Sequence, residues 1–231
     1  MMNPLYIDQK KPVTLLGGGK FAEKVFNQAL KAAPILLAAD GGAGRALELG
    51  HIPKAVIGDM DSLDEKTAMQ IPPDHLYPIG EQDSTDFDKC LRSIRAPLIL
   101  GVGFTGWRLD HELAAYSSLL RHPEQRCILL GEVDMCFLAP VSMRLDLPAG
   151  TRVSLFPLAP CRVDATGLRW QLDGLKMAPD GVIGTSNEVL TGPVTLQVSK
   201  RKLLVILPHT YLGAAIKALT GGKDGQAPRQ L

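Results

Sequence analysis

Two carboxylates stand two residues apart in Gly58-Asp59-Met60-Asp61-Ser62, straight after the apolar run Ala55-Val56-Ile57. The run reads as a buried strand, and in an open α/β sheet ligands collect beyond the carboxyl ends of strands. In an extended backbone, side chains at i and i+2 share a side, so Asp59 and Asp61 are placed to face one ligand. Like charges that close resist ionising together. A hard divalent cation such as Mg²⁺ removes the conflict and brings phosphate oxygens with it. The competing reading is a surface turn, since Gly-Asp and Asp-Ser are ordinary turn chemistry.

Other acids bear on that choice. Asp40 follows the apolar run at 35–39, Asp83 and Asp86 follow 76–79, and Asp110 follows 98–102. Acids at four strand ends on one rim would repel one another, so a cationic ligand is expected there. Helix capping accounts for Asp83 and Asp86 but poorly for Asp59 with Asp61. Arg108, in Arg108-Leu109-Asp110-His111, adds a cation at a helix start, and Arg can clamp phosphate bidentately. His111 alone reads as structural. Gly17-Gly18-Gly19-Lys20 is not a Walker A loop, because Thr14 and Phe21 occupy its Gly and Ser/Thr positions. Gly17, Gly19 and Ala22 do fit G-x-G-x-x-A with Asp40 downstream, which keeps a nicotinamide-dinucleotide oxidoreductase as an alternative.

These loops need a scaffold. Over residues 12–122, strands at 12–16, 35–39, 55–57, 76–79 and 98–102 alternate with helices at 21–30, 45–49, 63–70, 87–94 and 109–120. That pattern predicts a mostly parallel, three-layer α/β domain, placed at 1–125. Thereafter short strands at 126–131, 135–139, 151–158, 167–172, 194–198 and 203–207, separated by Pro, Gly and Asp turns, predict an all-β sandwich at 126–220. Residues 211–219 read as a terminal helix, and 221–231 as a disordered tail. Trp170 is either core or a stacking platform for an aromatic ligand. Gly184-Thr185-Ser186-Asn187-Glu188 reads as a polar turn, either a plain hairpin loop or a donor–acceptor cluster for a heteroaromatic ring.

The 231 residues are 45% apolar and 21% charged with net charge +1, a globular composition that argues against a nucleic-acid or membrane surface. No run suits a membrane helix, and the start MMNPLYIDQKKP lacks a signal-peptide core, so a cytoplasmic location is expected. Cys90, Cys127, Cys136 and Cys161 have neither zinc-ribbon nor disulfide-frame spacing and are expected to be reduced.

Taken together, the motifs resemble the thiamine pyrophosphokinase family. They are Ala39-Asp40-Gly41-Gly42, Gly58-Asp59-Met60-Asp61-Ser62, Gln82-Asp83-Ser84-Thr85-Asp86-Phe87 and Arg108-Leu109-Asp110-His111. In the second half come Ser154-Leu155-Phe156-Pro157-Leu158, Gly167-Leu168-Arg169-Trp170 and Ser186-Asn187-Glu188. Their order covers nearly all of residues 12–207. The resemblance implies a kinase-type transferase of thiamine diphosphate biosynthesis, moving the pyrophosphoryl group of ATP to the hydroxyl of thiamine and releasing AMP. It implies Mg²⁺ on Asp59, Asp61 and Asp86, support from Asp40 and Asp110, and nucleotide or phosphate contacts from Gln82 and Arg108. Asp86 or Asp110 would accept the thiamine hydroxyl proton. It also implies thiamine contacts from Trp170, Ser186 and Asn187, and a homodimer in which these reach the partner's active site. A non-catalytic nucleotide or thiamine sensor is the remaining alternative. Two departures stand out: Trp107 in Gly106-Trp107-Arg108 where the family often has Gly-Gly-Arg, and Ala115 where an Asn is frequent.

Overall fold

The computed structural model describes residues 7–221. The first six residues, and positions 222–231 of the expected tail, lie outside the described residues. The chain divides into two compact units between Glu132 and Val133.

In the first unit the strands are β1 (Ile7–Asp8), β2 (Val13–Leu16), β3 (Ile35–Ala39), β4 (Val56–Gly58), β5 (Leu76–Pro78), β6 (Ile94–Arg95), β7 (Ile99–Val102) and β8 (Cys127–Leu130). The helices are α1 (Glu23–Ala32), α2 (Gly42–Glu48), α3 (Glu65–Gln70), α4 (Asp86–Ser93) and α5 (Leu109–Arg121). Strands β8-β7-β2-β3-β4-β5 form the unit's sheet, every pair of them parallel. Every residue of β2, β7 and β8 is buried. Successive side chains point to opposite faces, so both faces of the sheet are covered, as crossover helices require. The α/β unit runs past the expected residue 125, because Cys127–Leu130 pairs in parallel with β7. β1 and β6 make a separate parallel pair.

The sheet order creates a switch point. The chain builds outward from β2 through β3, β4 and β5, then returns to lay β7 on the other side of β2. At such a reversal the loops leaving two adjacent strands diverge and open a crevice. Here they are Gly17-Gly18-Gly19 after β2 and Gly103-Phe104-Thr105-Gly106 after β7, joined by a hydrogen bond from Gly19 N–H to the Gly103 carbonyl (3.1 Å).

The second unit contains β9 (Asp134–Leu138), β10 (Ser142–Leu145), β11 (Arg152–Pro157), β12 (Cys161–Thr166), β13 (Leu172–Met177), β14 (Gly184–Glu188), β15 (Val194–Val198), β16 (Leu203–Pro208) and α6 (Leu212–Thr220). Two antiparallel sheets result, β10-β15-β12-β13 and β14-β11-β16-β9. Strict alternation of buried and exposed residues along β12 and β15 gives the first sheet one apolar face. Met177 on β13 reaches the start of β14, where a Cβ on Gly184 would lie 3.4 Å from its terminal methyl. These are the layers of the expected sandwich, with α6 against β10.

Two local readings change. Residues 167–171 are not a strand but the connection from β12 to β13. Gly167 has φ +81 there, and a Cβ would sit 2.6 Å from the Pro193 carbonyl oxygen, a backbone approach only glycine tolerates. Residues 184–188 are not a turn but the edge strand β14 on β11. None of the four cysteines, all buried, is in a disulfide. Among the described residues no helix is long and apolar enough to cross a membrane.

One glycine decides how the rim closes. Gly42 opens α2, and a Cβ on it would fall inside the van der Waals envelope of the Leu16 carbonyl oxygen at the end of β2. Alanine is the better helix former, yet Gly42→Ala should lose about 1–3 kcal/mol through overpacking. A urea melt reads this directly, and an unchanged midpoint would mean that α2 moves freely away from β2.

Candidate active site

Four of the expected acids meet in one cavity of about 570 Å³. Asp40 ends β3, Asp59 and Asp61 follow β4, and Asp86 opens α4. Asp40 adopts φ +35 and Met60 φ +67, so residues 59–62 are a turn rather than extended backbone. The turn still converges the acids, because Ser62 N–H donates to Asp40 Oδ2 (3.1 Å) and Asp61 N–H reaches Asp59 Oδ1 (3.4 Å). One carboxylate oxygen from each of Asp40, Asp59 and Asp61 lies within 4.8 Å of the other two. Gly58 lets the strand ends approach: a Cβ there would be 2.7 Å from Asp40 Cβ and 3.0 Å from Asp86 Oδ1.

What holds these charges together is Lys89, which sequence reasoning missed. Its side chain is 1% exposed, and Nζ donates to Asp59 Oδ2 (3.2 Å) and Asp86 Oδ1 (3.1 Å). The signal was Asp86-x-x-Lys89, one turn apart on a helix. Gln82 Nε2 also donates to Asp59 Oδ2 (2.9 Å). α4 is fixed in turn by its N-cap Thr85, whose hydroxyl accepts from Asp88 N–H (3.3 Å). The buried Asp88 carboxylate takes Arg121 (3.1 Å) and His122 (3.0 Å) from the end of α5.

Titration behaviour follows from this packing. Burial raises Asp40 from 3.8 to about 6, against the Ser62 hydrogen bonds that lower it. Burial also raises Asp86, opposed by Lys89 and reinforced by Asp59 and Asp61. Burial acts to raise Asp59, but Lys89, the Asp61 N–H and Gln82 outweigh it and hold the carboxyl below its usual range. Desolvation would lower Lys89, and its two carboxylates more than reverse that.

A divalent cation fits the residues present. Asp40 Oδ1 is buried without a hydrogen-bond partner, on a carboxylate that has one oxygen within 4.8 Å of oxygens of Asp59 and Asp61. An orphaned buried carboxylate oxygen is costly, and an all-oxygen donor set suits Mg²⁺.

The remaining expected residues sort as follows. Gln82, Arg108 and His111 line the cavity, together with Gly17, Gly18 and Gly19. Asp110 points to Arg108, which donates to it through Nε (3.2 Å) and a terminal nitrogen (2.6 Å), and it does not line the cavity. Asp83 is likewise outside the lining.

In the second unit Trp170, Ser186 and Asn187 come together. Asn187 is buried, accepts from Trp170 N–H (3.2 Å) and donates to the Trp170 carbonyl (2.7 Å). The indole itself stays 57% exposed, with the Arg169 guanidinium 5.8 Å from its ring centroid. Ser186 adopts φ +58 where the β11–β14 register shifts, and its N–H donates to Ser154 Oγ (3.0 Å). Such bulges re-aim side chains.

Two family models match the chain. Residues 26–129 match the thiamin pyrophosphokinase catalytic domain, and residues 141–203 match the thiamin pyrophosphokinase vitamin B1 binding domain. Thiamine pyrophosphokinase 1 of Arabidopsis thaliana is 29% identical over 227 aligned positions, covering 78% of this chain and 83% of the plant protein. Among solved structures, thiamin pyrophosphokinase from Geobacillus thermodenitrificans superposes with TM-score 0.69 at 24% identity, over 85% of this chain and 96% of that one. The Candida albicans protein gives 0.70 at 16% identity, over 90% and 95%. At these identities the superpositions establish the fold.

Asp40 makes the metal-free protein pH-sensitive in a defined direction. With its folded value raised, the native carboxyl keeps a proton that the unfolded chain releases between 3.8 and about 6. Stability from this group therefore falls as pH rises through that window and stays low above it. Asp40→Asn removes the penalty. In chelator-treated protein it should gain on the order of 2 kcal/mol at about pH 8, and the gain should vanish near pH 4. Thermal melts across that range check it, and a pH-independent difference would refute the assignment.

Proposed function

The chain belongs to the thiamin pyrophosphokinase family, and from that premise we propose that it transfers the pyrophosphoryl group of ATP to the hydroxyl of thiamine, giving thiamine diphosphate and AMP. The observation that carries this reading is the acid-lined cavity at the switch point, with Asp40, one of whose oxygens is buried and unsatisfied, in its lining. The nicotinamide alternative loses its motive, because Gly17-Gly18-Gly19 lines the same cavity as Asp40, Asp59, Asp61 and Asp86.

Asp59, Asp61 and Asp86 are assigned to Mg²⁺, with Asp40 joined to them by its proximity to Asp59 and Asp61. When bound, the ion neutralises phosphate charge and aligns the groups that exchange the pyrophosphoryl unit. The protein's own residues do the rest. Lys89 holds one oxygen each of Asp59 and Asp86, leaving the other oxygen of each for ligands. Backbone N–H groups of the glycine loops offer an anion cradle, and Arg108, at the cavity wall, adds positive charge over the phosphates. Asp86 is the better proton acceptor for the thiamine hydroxyl, because burial raises its proton affinity and it lines the cavity. Asp110, paired outward with Arg108, serves to aim that guanidinium.

Trp170, Ser186 and Asn187 are assigned to thiamine. The exposed Trp170, its main chain fixed by two hydrogen bonds with the Asn187 side chain, offers an indole face to a heteroaromatic cation. We infer a homodimer in which this surface serves the partner's cavity, acting in the cytoplasm.

Purified protein with Mg²⁺, ATP and thiamine should yield thiamine diphosphate and AMP in equal amounts. Asp61→Asn should lower kcat roughly 100-fold or more while leaving the melting temperature near the parent's. No product from the parent sinks the activity, and near-normal turnover by the variant sinks the metal assignment.

A further inference from the structure

Trp107 stands where the family often carries glycine, and the assigned chemistry does not use it. It lines the cavity, yet its indole is 58% exposed. A large aromatic held open at a cavity wall is a surface waiting for a partner. The other aromatic side chains nearby are committed. Phe87 and Phe104 pack on each other with ring centroids 4.5 Å apart.

The cavity has two ends joined by backbone. Gly18 abuts Gly41, where a Cβ would be 3.5 Å from the Gly41 carbonyl carbon, beside Asp40. Gly19 lies under Trp107, where a Cβ would be 3.6 Å from the indole Cε3 and 2.5 Å from the Gly103 carbonyl oxygen. The glycine loop thus runs from the acids to the indole, and no side chain of its own stands between them. A nucleotide whose phosphates occupy the acidic end has its base directed toward the other.

We propose that Trp107 is a substrate-binding residue of this chain, stacking its indole face on the base of the nucleotide substrate. The proposal rests on reading the cavity as the ATP site, and adds which end takes the base and which residue reads it. Stacking recognises an aromatic face rather than a hydrogen-bond pattern, so purine nucleotides should bind through Trp107 with little regard to their exocyclic groups. Inorganic tripolyphosphate, which has no base, should ignore Trp107.

The experiment compares the parent with Trp107→Ala and Trp107→Phe. Trp107→Ala should raise KM for ATP about tenfold or more. Trp107→Phe should recover most of the loss, since a smaller ring still stacks. The inhibition constant of tripolyphosphate and KM for thiamine should stay within about twofold, and the melting temperature should hold. An unchanged KM for ATP in Trp107→Ala overturns the proposal. So does a parallel loss for tripolyphosphate, which would report a disturbed phosphate end. A rise in KM for thiamine in place of ATP overturns it as well, assigning the indole to thiamine. If the parent makes no thiamine diphosphate, the family reading fails separately. Calorimetric titration of ATP and of tripolyphosphate, with Mg²⁺ on the same three proteins, then decides the stacking. A parent that binds no ATP overturns it.

Discussion

The rim of the first unit exists because four carboxylates are made to tolerate one another. Lys89 is the reason they can. Its ammonium, 1% exposed, sits between Asp59 and Asp86. A buried ion pair adds little net stability over an apolar equivalent, but removing one partner strands the other charge. The lysine and its two acids are therefore held as a set. α4 accordingly faces two ways. Asp86 and Lys89 look to the cavity, and Asp88 anchors the helix to Arg121 and His122 at the end of α5.

The scaffold of the first unit was plainly legible, and so were most of its acids. Apolar runs followed by an acid or a glycine mark parallel strand ends: Asp40 and Asp59 sit where such runs stop, Asp61 in the turn just beyond, and Asp86 at the start of the helix after β5. The cation among them was not. A lysine one turn from an aspartate is ordinarily a solvated helix pair, and nothing local reveals that this one points inward. The glycines of residues 17–19 were visible, but spacing alone cannot say that a return strand, β7, will lie beside β2. That adjacency is long-range information. It turns two separate glycine turns into one crevice.

The second unit was harder to read for a different reason. Its strands bury one face only, and their outward faces are polar. Cys161–Thr166 alternates one residue in, one residue out, yet its polar positions blur it into a loop. Residues 167–172 read as a strand because Leu168, Trp170 and Leu172 alternate with smaller or polar residues, but the cramped backbone around Gly167 makes 167–171 a connection. Ser186 and Asn187 looked like a turn because they are polar. They lie instead on an edge strand with a bulge, Ser186 exposed as is normal on an edge and Asn187 buried. Their partnership with Trp170 was expected from motif resemblance. The two hydrogen bonds between the Asn187 side chain and the Trp170 main chain, one accepted and one donated, supply the physical cause.

The central position of β2 carries a consequence for synthesis on the ribosome. β2 pairs with β3 on one side and β7 on the other, and β7 lies some way further along the chain. A nascent chain that has emerged only through β5 already exposes one bare edge of β2. Pairings this distant close slowly, and unpaired strand edges invite association with neighbouring chains. Residues 99–102 thus set the moment at which β2 stops being adhesive, the bare edge passing to β7 until β8 pairs with it. The crevice at the switch point is created by the same event.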